Sequence, residues 1–337
     1  MRALAGLIAV TLLAMAAPAA ADPTAAPGYT LEIVRQPGAV FAGLARDGDS
    51  LLITDLAAGR LNRRGPDGRF TAFGPVLPHG LDVIGDPTGP YRVARQGAGY
   101  IVAQGWTPAN AAESKYDHAL LEVEEGGEPK ILSSDFWNPY AFAASPDGFY
   151  VIDAARNSVE HLSADGGVRQ TLFTFARLTA SGSTLKSLSP TEFGQQQSYA
   201  FDAVPTGIAA HGGRLYVSLF GGFPFVAGSG RIVSLPEAAV APSARVEATD
   251  LNAPVDVVFN ANGDMLVLEH GTFDQAGGWA PGSGRVLRIA SDGVRQIILD
   301  GLTRPVSVLT WDDRRLVVSE LGGSLYFLTR NPEKVLP

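Results

Sequence analysis

The 337-residue chain contains no cysteine. Neither a disulfide framework nor a lipidated cysteine anchor is available to it, so an exported form must be held by its core alone. Positive charge is also short. Lys and Arg total 26 against 34 Asp and Glu, a formal net charge of -8. The chain therefore lacks the basic field that a phosphate backbone requires, and no nucleic-acid partner is expected. Beyond the N-terminus no segment approaches the ~20 apolar residues of a spanning helix, so no transmembrane segment is expected. Histidine is sparse, with five in all, and none stands in HxxxH or HxH spacing. Zinc and non-haem iron sites lose their usual signal for that reason. There is no G-x-S-x-G nucleophile elbow, and the glycines follow turn positions without forming a phosphate-binding fingerprint.

The sequence opens MRALAGLIAVTLLAMAAPAAAD, with Arg2 as a charged start, an apolar run, and small residues at Ala19, Ala20 and Ala21. Residues 1–21 read as a signal peptide, which implies a periplasmic or secreted protein. Residues 22–337 are expected to form one domain, and a monomer.

A strand pattern recurs along that domain at irregular spacing. Units begin FAGLA at Phe41, GLDVI at Gly80, PYAFA at Pro139, PTGIA at Pro205, PVDVV at Pro254 and PVSVL at Pro305. Each is followed by a second strand, ending at Asp55, Gln104, Asp153, Leu219, Glu269 and Glu320. A third strand follows in every unit and a fourth in most. Short β-branched and aromatic strands separated by Gly/Asp turns, repeated around an axis, predict an all-β, six-bladed β-propeller with four-stranded antiparallel blades. The last unit lacks its outer strand, which YTLEIV near the N-terminus is expected to supply.

Propeller geometry sorts the loops by face. The connection between second and third strands rises on the top face, and there the second, fourth and fifth units carry long excursions: GWTPANAAESKYDH, FGGFPFVAGSG and HGTFDQAGGWAPGSG. A further long connection runs from Ala176 to Ala203. Loops longer than a turn requires carry function or disorder, and aromatic content argues against disorder. Phe220, Phe223 and Phe225 are therefore expected to wall or roof the top of the channel, packing on Tyr199, Phe201 and Trp279 or standing free as a contact patch. Trp106, Trp279 and the top-face histidines His79, His118 and His270 add candidates for binding a planar or sugar-like ligand, or a protein partner.

The column that ends the second strands offers Asp55, Asp153, Glu269 and Glu320. Asp55 with Arg60 and Glu269 with Arg285 read as cross-strand pairs. Arg231 faces Leu219, Asp153 faces Ser158 and Glu320 faces Ser324, so these three charges need other partners and stand as ligand-binding candidates. Asp82 in GLDVI and Asp256 in PVDVV sit on inner strands of opposite blades, and could hold a divalent cation or ordered water near the axis.

VPTGIA, then LYVSLFGGFPFVAGSGRIVSL, then DMLVLEHGTF…GSGRVLRI with GLTRPVSV, resemble the ScyD/ScyE family of exported propellers and, more distantly, NHL-repeat proteins. The resemblance covers most of the chain and is sharpest from Val204 to Gly323. It implies a six-bladed exported propeller, and brings no family-wide catalytic motif. A binding protein accessory to an extracytoplasmic pathway of secondary-metabolite type is one expectation. The other is an enzyme similar to the gluconolactonase and regucalcin group, in which a divalent cation on the axis activates water or a carbonyl, with a quinone-dependent sugar dehydrogenase as a third possibility by architecture. The mostly apolar character of Ala42, Leu81, Tyr140, Thr206, Val255 and Val306 at the mouths of the inner strands favours the first.

Overall fold

A computed structural model describes residues 21–82, 85–106, 113–184, 198–237 and 242–332. All but the last residue of the leader read from the sequence lies outside these. Among the described residues no helix is long and apolar enough to cross a membrane.

Second strands such as SLLITD are apolar almost without interruption because each is buried on both faces, and alternate side chains serve different neighbours. Leu52 joins the core between blades one and two, while Leu51 and Ile53 join the core between blades one and six. Likewise Tyr100 and Val102 face blade one, and Ile101 and Ala103 face blade three. Repeating this six times gives six inter-blade cores. A seventh cluster of Ala42, Leu56, Tyr91 and Val306 lies where the inner strands meet. Each large apolar side chain so buried contributes about 1.5–3 kcal/mol.

The result is a six-bladed β-propeller of four-stranded antiparallel blades. The inner strands are Phe41–Asp47, Pro90–Gln96, Pro139–Ser145, Pro205–His211, Pro254–Phe259 and Pro305–Thr310. Blade six is completed by Tyr29–Arg35, which pairs antiparallel along Ser324–Arg330 with Leu31 opposite Leu328 and Ile33 opposite Tyr326. The missing outer strand thus comes from the N-terminus, as the sequence implies. Thr24–Ala25 goes further and adds a fifth strand to blade five.

One boundary differs from the sequence reading. The inner strand of blade two is Pro90–Gln96, paired with Gly99–Gln104. Gly80–Leu81, the start of GLDVI, instead pairs with Pro87–Thr88 in a miniature hairpin ahead of the blade. Asp82 is therefore at a hairpin turn, where its carboxylate accepts the Asp86 backbone N–H at 2.9 Å. The mouth position assigned to Leu81 belongs to Tyr91.

The carboxylates at the ends of the second strands share one task, which the repeat hides. Each accepts a backbone N–H from one of the two residues just before its own blade's inner strand, where the chain turns in and would otherwise bury a donor. Asp55 takes Val40 at 3.0 Å, Asp153 takes Asn138 at 2.9 Å and Trp137 at 2.8 Å, Glu269 takes Asn252 at 2.6 Å and Glu320 takes Thr303 at 2.9 Å. Blade four has Leu219 in that column. Its orphaned Val204 N–H is accepted by Asn157 Oδ1 of blade three at 2.8 Å.

Two corrections follow. Arg285 does pair with Glu269, but Arg60 donates to the Gly74 carbonyl at 3.2 Å and forms no ion pair with Asp55. The backbone N–H groups of Val40 and Ala57 hold Asp55 instead. Asp153 and Glu320, which the sequence leaves without partners, are also satisfied internally. Arg156 lies 3.7 Å from Asp153, and the Tyr326 hydroxyl donates to Glu320 at 2.8 Å.

Candidate functional site: an aromatic cavity at the channel mouth

Three miniature hairpins stand on the top face, one ahead of blade two, one of Leu178–Ser181 with Ser198–Phe201, and one of Phe273–Asp274 with Gly278–Trp279. Together with the Phe220–Phe225 excursion they border an open-mouthed recess of about 630 Å³ over the channel.

Its wall is a chain of ring contacts. Phe225 packs on Phe220 at 5.8 Å, on Phe273 at 5.0 Å and on Trp279 at 5.0 Å, and His270 meets Trp279 at 4.7 Å. These edge and tilted geometries are the ones aromatic quadrupoles favour. Phe220 and Phe225 are half-buried in this wall, whereas Phe223 is 56% exposed at its rim. The excursion can turn so tightly because Gly221 adopts φ +84°, a region costly to other residues. Phe201 rests against the same glycine, 3.3 Å from where a Cβ would stand.

The floor is set by the second residues of the inner strands. Tyr91 and Tyr140 stack at 4.7 Å, beside Thr206, Val255 and Val306. Burial pushes both phenols above their ordinary range, so they remain protonated hydrogen-bonding groups at neutral pH. The charges at the mouth are paired. Arg304, held at φ +56°, donates to Asp86 at 2.6 Å, and Arg177 donates to Asp202 at 3.0 Å.

His270 is the one histidine in the wall, and it is buried. Its Nδ1–H donates to the Pro305 carbonyl at 2.9 Å, which leaves the Nε2 lone pair facing Arg304 Nε at 3.4 Å. Burial, then the nearby guanidinium, hold its pKa down at about 3 against an ordinary 6.5. The unfolded chain accepts this proton more readily than the folded one. His270 therefore contributes stability that is complete above pH 6.5 and is lost as pH falls toward about 3. Replacing His270 with Gln is expected to flatten the dependence of the melting midpoint on pH across that window. An unchanged slope would mean the ring is not buried neutral.

Beneath the floor lies a second layer of inner-strand residues: Gly43, Arg92, Ala141, Gly207, Asp256 and Ser307. Arg92 of blade two reaches across the channel to Asp256 of blade five, with bonds of 2.6 and 3.0 Å to the two carboxylate oxygens. Gly43 and Gly207 make room, since a Cβ on either would fall 2.7 Å from the Cα of Arg92 or Asp256 respectively.

Of the residues singled out from sequence, Trp106, Phe220, Phe223, Phe225, His270 and Trp279 line the cavity, and Asp82 reaches its edge. Four others lie elsewhere. His79 bonds the Leu77 carbonyl between blades one and two, Asp153 and Glu320 are the capping carboxylates described above, and Arg231 is half-buried with its Nε lacking a partner among the described residues. His118 lines a neighbouring, more open depression of about 570 Å³ with Trp137 and Arg156. That depression shares Trp106 and Ala155 with the central cavity. Sequence reasoning missed Asp86, Tyr91, Arg92 and Arg304. The proline that heads five of the six inner strands would have found two of these, since Pro90-Tyr91-Arg92 matches Pro254-Val255-Asp256 and Pro305-Val306-Ser307.

A divalent cation on the axis does not fit these residues. The first layer has no carboxylate, Asp82 is not on an inner strand, and Asp256 is occupied by Arg92. Among the described residues no three His, Cys, Asp or Glu side chains converge as a metal site.

No family model matches the chain, and no curated protein matches it. Among solved structures it is similar to a gluconolactonase from Xanthomonas campestris, with 16% identity and a TM-score of 0.61 over 90% of this chain and 91% of that one. It is also similar to virginiamycin B lyase from Staphylococcus aureus, with 11% identity and a TM-score of 0.52 over 89% of this chain and 99% of that one. At such identities the likeness shows the propeller fold.

Proposed function

We propose that this chain is an exported propeller whose mouth cavity binds a small molecule with a flat, largely apolar body, in service of an extracytoplasmic pathway. The observation that carries this reading is the aromatic-walled recess of about 630 Å³ at the channel mouth. A recess of that kind suits a small molecule better than a protein surface, because only Phe223 of its excursion's three rings stands out into solvent. The polar groups favour binding over catalysis. General acid–base work needs a group poised near the working pH. Here the His270 pKa is held near 3, the tyrosines are pushed up, and Asp86 and Asp202 are each tied to an arginine.

The test uses an anilinonaphthalene sulfonate dye, an aromatic probe whose fluorescence rises in apolar surroundings. The folded protein is expected to bind it saturably at one site. Phe223→Ala should weaken that binding about tenfold, the value of one lost aromatic contact, while the melting midpoint stays put because the ring is exposed. Undiminished binding by Phe223→Ala, with the fold intact, would remove the cavity from consideration.

A further inference from the structure

The axial layer supports a conclusion that does not depend on what the cavity above it binds. Asp256 is fully buried, and its two oxygens are completely engaged. Oδ1 accepts from Arg92 at 2.6 Å and from the Val257 backbone N–H at 3.0 Å. Oδ2 accepts from Arg92 at 3.0 Å, from the Ser307 hydroxyl at 3.1 Å and from the Val308 backbone N–H at 3.0 Å. Five donors thus converge on one carboxylate, which has about four lone-pair sites to offer. Nothing is left for a metal. A hard divalent cation also asks for about six oxygen ligands, and this layer's other members are two glycines, an alanine, a serine and Arg92 itself.

We propose that Arg92 is the resident cation of this propeller's axis, and that the protein works without a metal ion there. The planar fork of a guanidinium matches a carboxylate through two parallel bonds, which a spherical ion does not require. It also reaches where an ion cannot, since the pair ties together blades two and five, opposite each other in the ring. The metal-dependent lactonase chemistry suggested by resemblance then has no seat on the axis of this chain, although the fold is shared.

The experiment compares the full chain with Asp256→Asn, Arg92→Met and the double substitution Arg92→Met with Asp256→Asn. Metal content is measured on the purified proteins, and melting midpoints are taken with a chelator and with calcium, magnesium, manganese or zinc. The unsubstituted protein is expected to carry substoichiometric metal and to melt at the same temperature in every condition. Each single substitution should lower the midpoint by about 5 °C or more by stranding a buried charge, and the uncharged double, whose amide oxygen at position 256 replaces the carboxylate as an acceptor for a backbone N–H, should recover part of that loss. Stoichiometric metal that Asp256→Asn loses would overturn the proposal. So would a chelator-induced fall in midpoint that Asp256→Asn abolishes. Should a single variant fail to fold, the metal content and chelator response of the unsubstituted protein, with the folding of the double, still decide the matter.

Discussion

A chain lacking Asp22 through Arg35 is expected to lose cooperative unfolding. Tyr29–Arg35 is the outer strand of blade six, paired over seven positions with Ser324–Arg330. Leu31 and Ile33 pack onto the core between blades five and six, and Val34 onto that between six and one. Deletion therefore strips one strand from a sheet and uncovers apolar surface on both sides of it. Edge hydrogen bonds along Leu325 to Leu328 would be opened as well. Three partly buried aliphatic side chains and a full ladder outweigh much of a typical folding stability of about 5–15 kcal/mol. Circular dichroism melts of the truncated chain provide the check. A cooperative transition at the original midpoint would show that the ring does not depend on its N-terminal closure. A synthetic peptide spanning the deleted segment is expected to restore the transition, as strand addition to an open edge would.

Asp153→Ala is expected to destabilise by roughly 3 kcal/mol or more, because it strands two buried backbone donors and an arginine at once. The Trp137 and Asn138 N–H groups both end on this fully buried carboxylate, and Arg156 lies beside it. Arg156 in turn stacks over the Trp137 ring at 5.2 Å, so one residue holds both the turn into blade three and the ring above it. Asp153→Asn should cost less, since its amide oxygen still accepts one of the bonds. Chemical denaturation of the two variants measures the difference. If both were as stable as the parent and only dye binding fell, Asp153 would be a ligand contact after all, as its isolated charge suggested in sequence. This outcome is not expected, because no atom of Asp153 lines the central cavity.

Much of the architecture was legible because it is local and repeated. Apolar runs such as LLIT and YIVA have to be buried on two faces, and the turn residues between them set the hairpins, so six blades follow from pattern alone. The absent outer strand after Leu328 likewise pointed to YTLEIV. The long excursions named the face that carries the cavity, and the Phe cluster falls in the cavity wall. Reading failed where a loop excursion imitates the repeat. GLDVI has the composition of an inner strand, yet it opens a hairpin at the mouth, and the true inner strand PYRVARQ carries the Arg92 cation where the Asp82 carboxylate was expected. The column of carboxylates misled for a different reason. Their partners are backbone N–H groups, which have no letter in a sequence.

The sequence by itself therefore determined the blade count, the closure and the face that carries the long loops, because periodicity and turn chemistry act between near neighbours along the chain. Only the tertiary structure decided which charges pair across the ring. Arg92 and Asp256 are separated by 164 positions, and Arg304 and Asp86 by 218. Closing the ring brings each pair together, and a charge chooses its partner by distance in space, which no local pattern records.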